Sequence, residues 1–435
     1  MHNFLISIGF ALISGLAFGG VITPEAAAAP SVDDITAAQF REDIAFIRRS
    51  IDLTHPDMQF SSDPRAVDQA LQALAGGAAA VMTRDQAWRR LATLNPLFAD
   101  GHLLVGFTNW RSETAQYRQH GGTLFPYEVE LRGGDLFIRA LLGGADTPLH
   151  GAKIVTINGE PASRIAAALL ARTHGDTPLF RSHLLAQRWW FYYWKMFGQT
   201  SSYRLTISRE MQRSTIDTAA SKEEPLVLRA ESGFDRQFRF AIEPDGGAVL
   251  TLASFAPDDR DRFLAFTRDA FTRLRQAGTA NLRIDISANG GGDDAAWIDG
   301  LMPYLARQSY RTGSTYKKKV LEANIQAGER PGQVIDGEIA TWHAPQTDNP
   351  LLFHGKTVIA IGPGTYSSAI LFANVMRDFG FAKLTGTGAA ARRTQSGGVR
   401  QFILPHSKLA IWVPRFVIDP PSGSAPGALL QPDPL

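Results

Sequence analysis

The stretch that decides the fold is KTVIAIGPGTYSSAILFANVMRDFG, from Lys356 to Gly380. Thr357 to Ile361 is β-branched and apolar without alternation, the pattern of a central strand covered on both faces. A Gly-Pro-Gly bend follows, then a helix opening at Ser367 or Ser368. The helix is apolar almost all round, through Ile370, Leu371, Phe372, Val375, Met376 and Phe379, so it is expected to be buried. Gly380 stands where a left-handed C-terminal cap belongs. Unpaired N–H groups and the positive end of the helix dipole converge on the first turn and favour developing negative charge there. A serine delivered to that turn by a glycine bend has two uses. It can be a nucleophile, or it can be an N-cap, which is the commoner role of serine at such a position.

Working outward, a second strand ends in a glycine loop: NLRIDIS runs into ANGGGDD at 288–294. From Gly247 onward strands and helices alternate, which argues for an α/β core with largely parallel strands. In such sheets ligands bind beyond the carboxyl ends of the strands, where both loops lie. Consecutive glycines let the backbone approach a substrate and offer N–H groups to an oxyanion. A hydroxyl on one loop and a glycine nest on the other make half of an acyl-transfer site. Of the ten histidines, His102 and His406 lie next to strands, and His406, in LPHSK, reads more readily as a hairpin-turn residue.

Upstream, 30–110 reads as helices, with Asp63 and Thr83 as helix starts, ending in the loop Asp100-Gly101-His102. Residues 120–212 are strand-rich, with a Gly-Gly hairpin after Arg132 and an Asn158-Gly159 turn. The run Trp189 to Trp194 is expected in a helix core, and Ser214 to Glu224 as a surface loop. The core spans 235–435. With 44 Lys+Arg against 42 Asp+Glu, the charge balance gives no reason to expect nucleic acid. There is no cysteine, so disulfides, thiolate metal sites and a cysteine nucleophile are excluded. Phosphate, dinucleotide and zinc motifs are absent, and no metal or cofactor is expected. Asp293 and Asp294 read as surface polar residues. Residues 1–28 have the apolar run and small residues of a cleaved secretory signal, which implies export to a periplasmic or extracellular space. An uncleaved signal would instead hold the protein near a membrane.

Several stretches together resemble the C-terminal processing (tail-specific) and tricorn-like serine peptidases. They are IDISANGGG, the TYSSAILFANVMRDFG helix, KLTGTG, ILPHSKL and LLQPD in the core, with HGAKIVTINGEPAS, THPDMQF and FADGHLLV before it. The resemblance implies a crotonase/ClpP-like core of strand-strand-helix units, a PDZ-like module at 120–212 and hydrolysis of peptides or unfolded proteins. It assigns Ser367 as nucleophile, with oxyanion donors at Ser368 and at Gly291 or Gly292. The tail-specific branch has a lysine where this chain has Arg392, which stays protonated and is no general base. The tricorn-like branch uses a histidine that matches His102, so a Ser–His mechanism is implied. The acid that would orient His102 is left open among Asp100, Asp419 and Asp433, with Asp285 expected under the glycine loop. Ser287, Ile370 and Thr387 replace polar residues usual in the family. Two alternatives stand beside this reading: a peptide-binding relative without turnover, and an α/β-hydrolase-type esterase using His406.

Overall fold

The computed structural model describes residues 34–434 except 211 and 425, so the signal at 1–28 lies outside the described residues. Three helices lead: α1 (Ala37–Thr54), α2 (Pro64–Gly76) and α3 (Arg84–Leu91). Asp63 and Thr83 cap α2 and α3, each accepting a backbone N–H in the first turn. Strand β1 (Leu104–Phe107) and α4 (Trp110–Gln119) follow the Asp100–His102 loop.

The middle of the chain is a meander: β2 (Tyr127–Arg132), β3 (Asp135–Leu141), β4 (Lys153–Ile157), α5 (Ala162–Leu170), α6 (Pro178–Gln187), α7 (Trp189–Phe197), β5 (Ser202–Arg209) and β6 (Gln212–Ala219). The strands run in the order β2-β3-β4-β5-β6, all antiparallel. The expected loop from Ser214 is in fact mostly strand, since β6 pairs along the whole of β5. It is an edge strand with mostly exposed side chains, so it lacks the apolar alternation that marks a half-buried strand. The aromatic run forms α7, with Trp189 and Trp190 fully buried.

The remainder holds β7 (Phe238–Ile242), β8 (Ala248–Leu252), α8 (Arg260–Gln276), β9 (Asn281–Asp285), α9 (Asp294–Gly300), β10 (Thr315–Lys319), β11 (Val334–Glu338), β12 (Lys356–Ile361), α10 (Ser368–Asp378), β13 (Lys383–Gly386), β14 (Gln395–Gly397), β15 (Arg400–Ile403), β16 (Leu409–Val413) and β17 (Phe416–Ile418). Strands β8, β9, β12 and β13 are parallel neighbours, with β7 antiparallel on the β8 edge. The fold is mixed α/β. Helix α10 is buried along nearly its whole length, as its composition requires, and Phe372 packs against Phe255 and Trp297. A second sheet, β11-β10-β17-β14, stands beside this one.

Two hydrophobic cores result among the described residues. One surrounds the parallel sheet. The other joins the N-terminal helices, the meander and α7. The β15–β16 hairpin crosses between them: β16 pairs with β1, and Leu404, Leu409, Ile411 and Val413 are buried in the N-terminal core. That return brings β14 and its neighbours to the loop carrying His102.

Candidate active site

The turn after β12 is stapled to the loop after β9. Thr365 Oγ1 donates to Ile286 O at 2.8 Å and accepts from Gly362 N at 3.0 Å. Tyr366 N donates to Asn289 O at 2.9 Å. Asn289 is fully buried; its Nδ2 donates to Leu252 O, and its Oδ1 accepts from Gly291 N at 2.8 Å. Ser367 occupies the N-cap position of α10 with φ 55° and ψ −128°, a conformation that costs a non-glycine residue about 1–3 kcal/mol. Its side chain makes no capping bond. Its N–H donates to Gln395 Oε1 at 3.1 Å, and its Oγ lies 3.1 Å from His102 Nε2. Ser368 is tied to α9, its Oγ donating to Asp294 and accepting from Trp297 Nε1 at 3.0 Å.

His102 enters from the other core. Ala99, at φ 47°, turns the chain into Asp100. His102 Nδ1 lies 3.0 Å from Ser396 Oγ, and Ser396 Oγ donates to Asp100 Oδ1 at 2.9 Å. The direct Asp100–His102 side-chain distance is 3.9 Å, too long for a hydrogen bond. With its proton committed to Asp100, Ser396 receives Nδ1–H and leaves Nε2 bare toward the Ser367 hydroxyl. Burial pushes the His102 imidazole below its ordinary pKa, while Asp100 pulls it back up. A neutral imidazole holding a hydroxyl proton at this distance can act as a general base.

Tyr366 links the two sides. Its hydroxyl donates to Asp176 Oδ1 at 2.7 Å and accepts from Gly101 N at 2.9 Å, and its ring lies 4.9 Å from the His102 ring. Burial drives this phenol far above its usual pKa. Asp176, from the loop between α5 and α6, also accepts from Arg392 N at 3.0 Å. Burial, and then the charge of Asp100, raise the Asp176 carboxyl. Arg392 donates from Nη1 to Ala99 O at 2.8 Å, bracing the loop that carries His102.

Ser367, His102, Ser368 and Gly291 are thus brought together, with changes of detail. Gly291 N–H is spent on Asn289 and is not free for an oxyanion. Gly291 serves by lacking a side chain: a Cβ there would sit 2.6 Å from Ser367 Cβ. Gly292 N–H and Ser368 N–H have no acceptor among the described residues. Because Gly291 O and Asp293 N both bond Phe255, the Gly292 N–H turns away from it. Asp419 and Asp433 do not face His102. Asp419 accepts from Thr394 and Thr315 at the wall of a cavity of about 650 Å³, and Asp433 accepts from Leu384 N. Asp285 is only half-buried, and it holds Ser287 by two bonds. Asp294, read as a surface residue, is instead the anchor of Ser368. His406 bonds Glu42 through Nε2 at 2.6 Å and Asp43 through its N–H, so it serves the hairpin turn rather than Ser367. Ser396, Gln395, Tyr366 and Asp176 escaped the sequence reading, for no spacing links any of them to His102.

Residues 247–432 match the sequence profile of peptidase family S41. The chain carries an S41 peptidase domain. It is therefore a serine-type peptidase, a hydrolase acting on peptides or proteins. No curated protein matches it in sequence. The structure of mature CPAF is similar with a TM-score of 0.61 and 12% identity, covering 91% of this chain and 92% of that one. Mature CPAF complexed with lactacystin gives 0.61 and 11%, covering 91% and 93%. The photosystem II D1 C-terminal processing protease gives 0.45 and 16%, covering 90% and 91%. At such identities the likeness to CPAF is one of fold alone.

Proposed function

We propose that this S41 peptidase works through Ser367 as nucleophile and His102 as general base, with Ser396 relaying the charge of Asp100 to the imidazole. The observation that carries the reading is the 3.1 Å approach of Ser367 Oγ to His102 Nε2, backed by the Ser396 and Asp100 contacts behind it. His102 takes the hydroxyl proton as Ser367 Oγ attacks the scissile carbonyl, and then returns it to the leaving amine. Ser368 N–H and Gly292 N–H are the oxyanion donors, each contributing about 3 kcal/mol to the transition state. Gly291, in this reading, makes room for the nucleophile.

The parallel sheet with its helices is read as the crotonase/ClpP-like core, and β2–β6 with α5 as the PDZ-like module. Export follows from residues 1–28 and is tested by sequencing the amino terminus of the protein recovered from outside the cytoplasm. The mechanism is tested by labelling with a fluorophosphonate. Wild type should label at Ser367 and lose its hydrolysis of an unfolded protein in step with labelling. Binding of peptide without labelling or cleavage would leave the protein a binding relative.

A further inference from the structure

A second polar site lies beside the catalytic loop, in a cavity of about 430 Å³ walled by Phe107, Trp110, Phe191, Tyr192 and Trp412. Its charged lining is cationic, including Arg172 and Arg188, and no aspartate or glutamate lines it. The other cations of this aromatic cluster have carboxylates of their own. Arg111 pairs with Glu231 at 2.6 Å, Arg84 with Glu113 at 3.1 Å, and Lys195 with Glu113 and Asp85. Arg188 has none. Its guanidinium lies 4.5 Å over the Trp110 ring, its side chain finds no acceptor among the described residues, and its Nε is fully buried. Among the described residues, the Arg172 side chain reaches only the backbone carbonyls of Arg89 and Ala168, neither of which carries a counter-charge. A cation drawn out of water without a counter-charge is costly, and a carboxylate meets the guanidinium fork by two parallel bonds.

We infer that this pocket binds the carboxylate of a peptide, with Arg188 as the pairing cation and the aromatic walls holding the adjoining side chain. A cavity of this size and lining suits a small ligand segment. His174, also in the lining, stands two residues before Asp176, and Leu104 two residues after His102, so the pocket borders the loop that carries His102 and the loop that carries Asp176. Burial, and then the charge of Arg188, push His174 down to about 3, so it adds no charge to the empty pocket. A free carboxyl terminus and an acidic side chain offer the same chemistry. The inference rests on the peptidase reading only in taking a peptide as the ligand.

The test uses the full chain bearing Ser367→Ala, so that binding is read without turnover. Three probes are titrated by calorimetry: acetyl-Ala-Ala-Phe as free acid, the same peptide as amide, and acetyl-Ala-Phe-Asp amide. One or both carboxylate probes should bind about tenfold more tightly than the neutral amide, as a charge-assisted pair requires. Which of them does so names the source. Adding Arg188→Gln should bring the three affinities together, and Arg188→Lys should restore part of the gap. Equal affinities for all three probes in the protein with Arg188 intact would overturn the inference, and that comparison stands even if Arg188→Gln fails to fold. Hydrolysis of the amide peptide by wild type is scored separately. Discrimination without hydrolysis would sink the mechanism and keep the pocket; hydrolysis without discrimination would do the reverse.

Discussion

The two halves of the proposed catalytic site are held in different ways. The Tyr366–Ser368 turn belongs to the parallel-sheet core, and its groups are fastened mainly to the neighbouring loop through Ile286, Asn289 and Asp294. The Asp100–His102 loop belongs to the other core. It reaches Ser367 through side chains that cross between the cores: Tyr366, Ser396 and Arg392. The first half is held mainly by bonds within one core, the second by a handful of bonds that cross from one core to the other. The placement of Ser367, the proposed nucleophile, should therefore tolerate damage at the crossing, whereas that of His102, the proposed base, should not.

The largest effect tests whether both halves are needed at all. Ser367→Ala and His102→Ala should each lower kcat by about 10⁶, with circular dichroism unchanged, since members of one catalytic unit are lost together. Full activity in Ser367→Ala would end the mechanism. Next comes the crossing itself. Asp100→Asn should cost about 10²–10⁴ in kcat, because the amide no longer fixes the tautomer through Ser396. Its pH profile gives a sign. In the proposed mechanism hydrolysis requires neutral His102, whose pKa burial holds below the ordinary 6.5, so the acid limb of kcat/KM should fall below pH 6.5. Asp100 raises that pKa, so Asp100→Asn should move the limb lower still. A limb displaced upward would contradict the assignment.

Gly291→Ala probes the rigid half. The new Cβ would meet Ser367 Cβ at 2.6 Å and Tyr366 O at 2.9 Å on a backbone at φ +101°. A displacement of the nucleophile by a fraction of an ångström should reduce kcat about 10²-fold, with KM less affected. The smallest effect is expected for Tyr366→Phe, which removes the bonds to Asp176 and Gly101. A loss of about 1–3 kcal/mol in stability and roughly tenfold in kcat is expected, read by thermal unfolding and by the rate of fluorophosphonate labelling. If Tyr366→Phe leaves the labelling rate untouched, the cores are aligned by packing and by the Ser396 and Arg392 bonds without help from Tyr366.

The strand, bend and helix of Lys356–Gly380 were legible because their pattern is local: a buried strand and an apolar helix announce themselves in consecutive residues. The Asp63 and Thr83 caps were legible for the same reason. Strand β6 was missed since an exposed edge strand has little apolar pattern to read. Asp294 was misread because two acids after a glycine loop resemble surface residues, and nothing in sequence places them against Ser368. Ser396 illustrates the general difficulty. It is 294 positions from His102 and has no motif of its own, yet it is the group that reaches both Nδ1 and Asp100.

Sequence alone determined that a serine would stand at the mouth of a buried helix beside a glycine loop. Chain composition and spacing settle which residues are apolar, which can bend and where a helix can begin. Only the tertiary structure decided that this serine leaves the capping role, adopts a left-handed backbone and faces His102. It also decided which acid stands behind that histidine. The reason is physical: a hydrogen bond depends on separation in space to a few tenths of an ångström, and here the separation is fixed by how two hydrophobic cores, built from distant parts of the chain, pack together.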